Sequence, residues 1–152
     1  MKDLAITLRA AQLTAHNMHN LVKGCTFFED HEHLGELYGA YEVAYDDVIE
    51  RCIGLGDMPN LGEITRAACA KSCQYDVSGM KSEQMFLILL DMESSIRQLA
   101  AKYNTGASLG TQNFLQGLAD SSEQRTYKLK QRTKNGSENG GNPIDDLLMG
   151  KR

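Results

Sequence analysis

The sequence predicts an all-α fold: four long helices, with a short helix in the connection between the second and third. Three observations lead there. Helix-breaking Pro occurs only twice in 152 residues, and Trp is absent. Apolar residues recur at spacings of three and four over long segments, the mark of helices with one buried face. Turn signals at Gly24, Pro59, Asp76–Gly79 and Asn104–Gly106 separate those segments.

The first helix is expected over residues 3–23, with Leu4, Leu8, Ala11, Ala15, Met18 and Val22 as its core stripe. Gly24 ends it. The second is expected over 29–55, with Leu34, Leu37, Tyr41, Ala44, Val48 and Cys52 inside. Tyr38 and Tyr45 widen that stripe and need polar partners for their hydroxyls. Gly35 and Gly39 each cost about 1 kcal/mol relative to Ala in a helix, so both point to close approach by another element or another subunit. A short helix is expected over 61–72 and a loop over 74–81. The third long helix starts at Ser82 and runs to about 103. Its face of Phe86, Leu89, Leu90, Ile96, Leu99 and Ala100 is broken only by Glu93. The fourth is expected over 109–132, with Phe114, Leu118, Ser121 and Leu129 in its stripe. Residues 1–132 thus read as one bundle domain. From Thr133 the composition turns to Asn, Gly, Ser and charge, so 133–152 reads as a flexible C-terminal tail. Its end, Pro143 to Met149, carries Ile144, Leu147 and Leu148 at helical spacing; the ordinary reading is an idle tail, and the alternative is one or two amphipathic turns that dock on a protein partner.

A formal net charge of −4 gives no bulk attraction to nucleic acid or an anionic membrane. DNA binding is expected to be weak or absent. No apolar run approaches the ~20 residues of a membrane span. Met1 is followed at once by Lys2-Asp3 rather than by a signal peptide, so a cytoplasmic location is expected. The four cysteines, 25, 52, 69 and 73, then read as buried or partly buried free thiols in a reducing compartment. Cys69 and Cys73 are one helical turn apart, but zinc needs further ligands and no histidine follows His33.

All four histidines, 16, 19, 31 and 33, lie in the first half of the chain. His19 falls in the last turns of the first helix and His31 in the first turn of the second, so the hairpin brings the two imidazoles together. Asp46 and Glu50 are one turn apart on one helix face. Two imidazoles and two carboxylates suit iron, and zinc as well. Asp46 stands 15 residues beyond His31, about 22 Å along a straight helix. One chain therefore cannot gather all four on one metal. A second copy, running antiparallel across a two-fold axis, can offer its carboxylates to the first copy's histidines. Taken singly, each residue also has an ordinary reading: a lone His on a helix is more often a surface or hydrogen-bonded core residue, and Asp46 and Glu50 extend a solvated face with Glu42. An in-bundle di-iron site is disfavoured because no Glu-x-x-His occurs. His31-Glu32-His33 has the wrong spacing for two ligands on one helix face.

The stretch 19–56 resembles the signature of the Dps-type mini-ferritins of the ferritin-like superfamily. That signature runs His, eleven residues, His, fourteen residues, Asp, three residues, Glu, with Gly and Phe between the histidines and Arg after the Glu. His19, Gly24, Phe27, His31, Asp46, Glu50 and Arg51 stand at matching places without a gap, and Leu55-Gly56 closes the helix as in the family. Gly110-Thr111 resembles the start of the family's last helix, and the resemblance spans about residues 1–131. It implies a ferritin-like four-helix bundle assembling as a hollow homo-oligomer, a dodecamer with metal sites at its dimer interfaces. It implies that His19 and His31 of one subunit bind iron with Asp46 and Glu50 of the neighbour. The implied activity is oxidation of Fe(II) to Fe(III) by peroxide or dioxygen, with storage of the mineral and detoxification of peroxide. His16, Glu32 and Arg51 are candidates for positions around the ligands.

Two residues depart from the family pattern. Asn20 stands where Trp is usual, and Gly35 where many relatives carry a carboxylate, so a second iron position is expected to be weaker or served by water or Glu32. A basic N-terminal arm, which contacts phosphates in DNA-binding relatives, is missing. Basic residues cluster instead at Arg125, Lys128, Lys130, Arg132 and Lys134. The alternative reading is a non-catalytic ferritin-like shell or adaptor protein that docks through its C-terminal tail.

Overall fold

A computed structural model describes residues 1–133. Five helices follow in order: α1 Lys2–Leu21, α2 Phe27–Gly54, α3 Leu61–Ser72, α4 Ser82–Asn104 and α5 Leu109–Thr133. Among the described residues there is no strand. α1 packs along α2, and α4 along α5, as two hairpins; α1 also packs against α3 and α4, whereas α2 and α5 touch sparingly. This is the expected ferritin-like bundle, with short α3 in the crossover between the two hairpins. The tail expected over 133–152, including its amphipathic end, lies outside the described residues apart from Thr133. No described helix is long and apolar enough to cross a membrane.

Local chemistry sets the boundaries. Gly24 has φ +118°, a conformation that a side chain would strain, and it reverses the chain between α1 and α2. The Asn60 side chain accepts the Glu63 N–H at 3.0 Å and caps the start of α3. Gln84 reaches back to accept the Lys81 N–H at 3.0 Å and tightens the first turn of α4.

The expected stripes of α1 and α2 are buried. In α5 the expected Leu118 and Leu129 face inward, but at the other two positions the inner residue is the next one along, Leu115 for Phe114 and Ser122 for Ser121. Thr111, Leu115, Leu118, Ser122, Thr126 and Leu129 face inward, while Ser121 is exposed and Phe114 half-buried. The reason is polar: Arg97 of α4 donates to the hydroxyls of Ser122 and Thr126. The inner face of α5 was therefore not legible from apolar spacing alone. The cysteines differ from expectation too: only Cys52 is buried, and Cys25, Cys69 and Cys73 are exposed.

Candidate metal centre

The α1–α2 hairpin brings His19 and His31 into face-to-face contact. Their ring centroids are 3.7 Å apart and their planes inclined by 25°. His19 Nδ1 lies 2.8 Å from the His31 carbonyl oxygen, and His31 Nδ1 lies 2.9 Å from the His19 carbonyl oxygen. A carbonyl oxygen only accepts, so both Nδ1 atoms carry their proton and donate. In a neutral ring with this tautomer, Nε2 keeps its lone pair and can bind a metal. His19 also sits in the last turn of α1, where carbonyls lack intrahelical donors. The His31 ring thus caps the C-terminal end of α1 as well.

Gly35, one turn after His31, borders the same pair. A Cβ there would meet His19 Cε1 and Nδ1 at 3.5 Å, ordinary contact distance, so a longer side chain pointing this way would displace the ring. At Gly39 a Cβ would meet nothing within 4 Å, so the close approach expected there is not made among the described residues. Aromatic rings enclose the histidines. Phe27 stacks on His31 at 5.0 Å, and Tyr38 meets His19 edge-on at 5.4 Å. His16 packs against Tyr38 at 4.6 Å and lies 6.4 Å from His19. Asn20 is exposed, its amide donating to the His16 carbonyl at 3.0 Å, and Glu32 is exposed. His33, expected at the surface, is half-buried; its ring meets Phe86 at 6.2 Å and its Nδ1 lies 3.6 Å from a Glu36 carboxylate oxygen.

Beneath the pair, the last turn of α5 is fastened to the first turn of α2. Buried Asp30, next to His31, accepts from Thr26 Oγ1 at 2.7 Å and from Arg132 Nε at 2.9 Å and Nη2 at 3.0 Å. Arg132 also donates to Thr26 and Ser82, and its guanidinium lies 5.8 Å over Phe86. Burial pushes the Asp30 carboxyl up, but hydrogen bonds from Arg132, Thr26 and Ser82, with the charge of Arg132, outweigh it and hold the group below its ordinary value of 3.8. A depressed carboxyl pKa stabilises the fold above the ordinary value, and the gain is lost as pH falls through the lower folded value. Asp30→Asn should therefore flatten the acid limb of stability below about pH 4. Urea unfolding at a series of acid pH values measures this; an unchanged slope in Asp30→Asn would remove Asp30 from the acid response.

The carboxylates lie at the other end of α2. Asp46 and Glu50 are both exposed. Glu50 lines an open groove of about 450 Å³ with Asp47, Arg51, Gly54, Leu55 and Phe114. The Arg51 guanidinium lies 5.0 Å over the Phe114 ring, which places Arg51 against α5 rather than beside the histidines. The structure thus joins His19 to His31 and leaves Asp46 about 22 Å, and Glu50 about 28 Å, further along α2. Among the described residues, no three His, Cys, Asp or Glu side chains gather closely enough to hold a metal ion.

The middle of the bundle holds a different kind of site. Glu93 of α4 is completely buried. It accepts from the Tyr41 hydroxyl at 2.7 Å, from Ser122 Oγ, and from Arg125 Nε and Nη2. Arg125 also lies 5.2 Å over the Tyr41 ring. Burial, together with the Glu93 carboxylate, pushes the Tyr41 phenol well above its ordinary value. Both carboxylate oxygens are occupied by protein donors, and an arginine supplies the positive charge. The residues therefore form an internal ion pair. Sequence reading found Glu93 only as a break in an apolar face and Arg125 only as one of a basic cluster. An isolated acid on a core stripe, opposite a helix with an Arg, was the signal that could have joined them.

Comparison with known proteins places this architecture. The Ferritin family model, described as a ferritin-like domain, matches residues 2–137. A protein of Listeria innocua named DNA protection during starvation protein is 27% identical over 96 residues, 62% of this chain and 59% of that relative. The chain thus spans somewhat less than two thirds of that relative's length. DNA protection during starvation protein 2 of Bacillus anthracis is 28% identical over 124 residues, covering 76% of this chain and 81% of the relative. A nutrient stress-induced DNA-binding protein of Synechococcus is 28% identical over 124 residues, covering 73% and 65%. No solved structure matches the chain significantly. The chain belongs to the ferritin-like family, on its Dps-type branch.

Proposed function

We propose that the protein takes up Fe(II), oxidises it to Fe(III) at a site shared by two subunits, and stores the product inside a hollow homo-oligomer, a dodecamer. The observation that carries this reading is the reciprocal clamp of His19 and His31. It turns both Nδ1 atoms to backbone carbonyls and leaves both Nε2 atoms free of them, on a half-exposed surface, with no third ligand gathered beside the pair among the described residues. Asp46 and Glu50 of the neighbouring copy supply the missing oxygen donors, which favour Fe(III) as charge accumulates. The imidazoles leave coordination positions open for the oxidant. With peroxide as oxidant, two Fe(II) ions give one electron each, and the peroxide takes up two protons to leave two waters. His16 and Tyr38 wall the site, and Glu32 is near enough along the helix to serve a second iron position that Gly35 does not. Arg51 fixes the carboxylate end of α2 by packing on Phe114 rather than by touching iron.

The reading places the protein in the cytoplasm and treats residues 133–152 as a separate tail with a docking end. It assigns no DNA-binding role to the described residues, although the relatives' names mention DNA. The net charge is −4, and two cations of the basic C-terminal cluster, Arg125 and Arg132, are committed to Glu93 and Asp30.

Anaerobic Fe(II) titration with parallel size measurement tests the proposal. A large assembly that binds Fe(II) and oxidises it when peroxide or dioxygen is admitted is the expected result. An assembly of normal size that neither binds nor oxidises iron would favour the adaptor reading.

A further inference from the structure

α3 and its C-cap residue carry two thiols that neither the bundle nor the iron reading uses. Its inner face, Ile64, Ala68 and Ser72, is buried. The Ser72 hydroxyl meets Thr14 at 2.9 Å, and Lys71 donates to Thr7 at 3.1 Å, fixing the helix on α1. Cys69 and Cys73 follow Ala68 and Ser72 by one position each and are both exposed and free. The helix is intact between them: the Cys73 N–H donates to the Cys69 carbonyl at 2.9 Å. The two thiols therefore stand one above the other, one turn apart, on the outer surface of an anchored helix.

The spacing selects what could join them. Side chains one turn apart have Cβ atoms about 5–6 Å apart. A disulfide needs about 3.5–4.5 Å between Cβ atoms, so oxidation would have to distort the helix. Two metal–sulfur bonds of about 2.3 Å each span the longer gap without distortion. The number of ligands selects the metal. Zinc asks for four donors, and among the described residues no third His, Cys, Asp or Glu joins the pair. Soft thiolates with no hard ligand nearby select Cu(I), which is satisfied by two sulfurs.

We propose that Cys69 and Cys73 form a surface clip for Cu(I), one ion per chain, independent of the iron site. Binding displaces the two thiol protons to solvent and forms two Cu–S bonds, leaving a bis-thiolate complex of net charge −1 with no change in oxidation state.

The test uses the reduced full-length protein under anaerobic conditions, with Cu(I) added in the presence of a competing Cu(I) chelator. The expected result is one Cu(I) retained per chain, with two sulfur neighbours by X-ray absorption. Cys69→Ser and Cys73→Ser should each lower the retained copper about tenfold or more, because one thiolate cannot chelate. Cys25→Ser should retain it. Both positions are exposed, so circular dichroism of the variants should match the parent; Cys69→Ala and Cys73→Ala provide a second pair. Loss of all copper to the chelator by the parent protein would overturn the proposal. So would undiminished retention by the Cys69 and Cys73 variants, or three or more sulfurs at the copper.

Discussion

Mixing a chain that carries His19→Ala and His31→Ala with one that carries Asp46→Ala and Glu50→Ala should restore iron oxidation to about a quarter of the parent rate. Each variant alone should be nearly inactive, about 100-fold down or lower, since loss even of an outer partner of a metal ligand costs 10–100-fold. The fraction follows from two-fold symmetry. With random pairing of equal amounts, half of the dimers are mixed. Each mixed dimer has one site with all four ligands and one with none. A site contained within one chain would give no rescue at all. Assembly must be followed by light scattering in the same samples, because His31→Ala also removes the ring that caps α1. Mixed assemblies of normal size without recovered oxidation would refute the shared site.

Arg125→Leu should destabilise the fold by about 3–5 kcal/mol, because it leaves the Glu93 carboxylate buried without its counter-charge. For a chain of this size that corresponds to a melting temperature lower by about 10–15 °C. The Arg125 side chain is only 13% exposed and that of Glu93 is fully buried, so solvent cannot take over the pairing. Adding Glu93→Gln to Arg125→Leu should recover most of the loss. The amide can still accept from Tyr41 and donate to Ser122, and it carries no charge to neutralise. Thermal or urea unfolding of the parent, both single variants and the double variant closes the cycle. If Arg125→Leu alone prevents folding, a double variant that folds gives the same answer. An Arg125→Leu protein as stable as the parent, or a double variant no better than Arg125→Leu, would rule out the ion pair as a major stabilising element.

The parts legible in the sequence were those governed by a period. α1 and α2 have apolar residues on a 3.6-residue repeat, and their buried faces came out as Leu4 to Val22 and Leu34 to Cys52 suggest. The hairpin geometry followed from Gly24, and with it the meeting of His19 and His31. α5 was less legible because its inner face is partly hydroxyl-bearing. Ser122 and Thr126 are inside because Arg97 and Glu93 need them, and Thr111 pairs with Ser108 at the helix start; no apolar repeat reports such needs. Ion pairs between distant segments were hidden for the same reason. Arg125 with Glu93 and Arg132 with Asp30 depend on which helix faces which, and a charged residue reads as solvated until its partner is known. Gly39 illustrates the opposite case: its cost in helix propensity is plain, but nothing among the described residues accounts for it. Asp46 and Glu50 remain surface carboxylates in the single chain, so their role rests on the symmetry argument and on the experiment above.

The crossed bonds between His19 and His31 also bear on how such chains drift over evolutionary time. Each ring holds the other residue's backbone, and the His31 ring closes the open end of α1. A hydrogen bond of this kind contributes about 1 kcal/mol net to stability, whether or not iron ever reaches the surface. A descendant that had ceased to handle iron would still lose part of its hairpin by replacing either histidine, so selection for folding alone would tend to keep both. Asp46 and Glu50 have no such second duty in the single chain and would be free to vary. Among divergent relatives, the carboxylates should therefore disappear before the histidines do, and a retained histidine pair without them marks a hairpin that has outlived its chemistry.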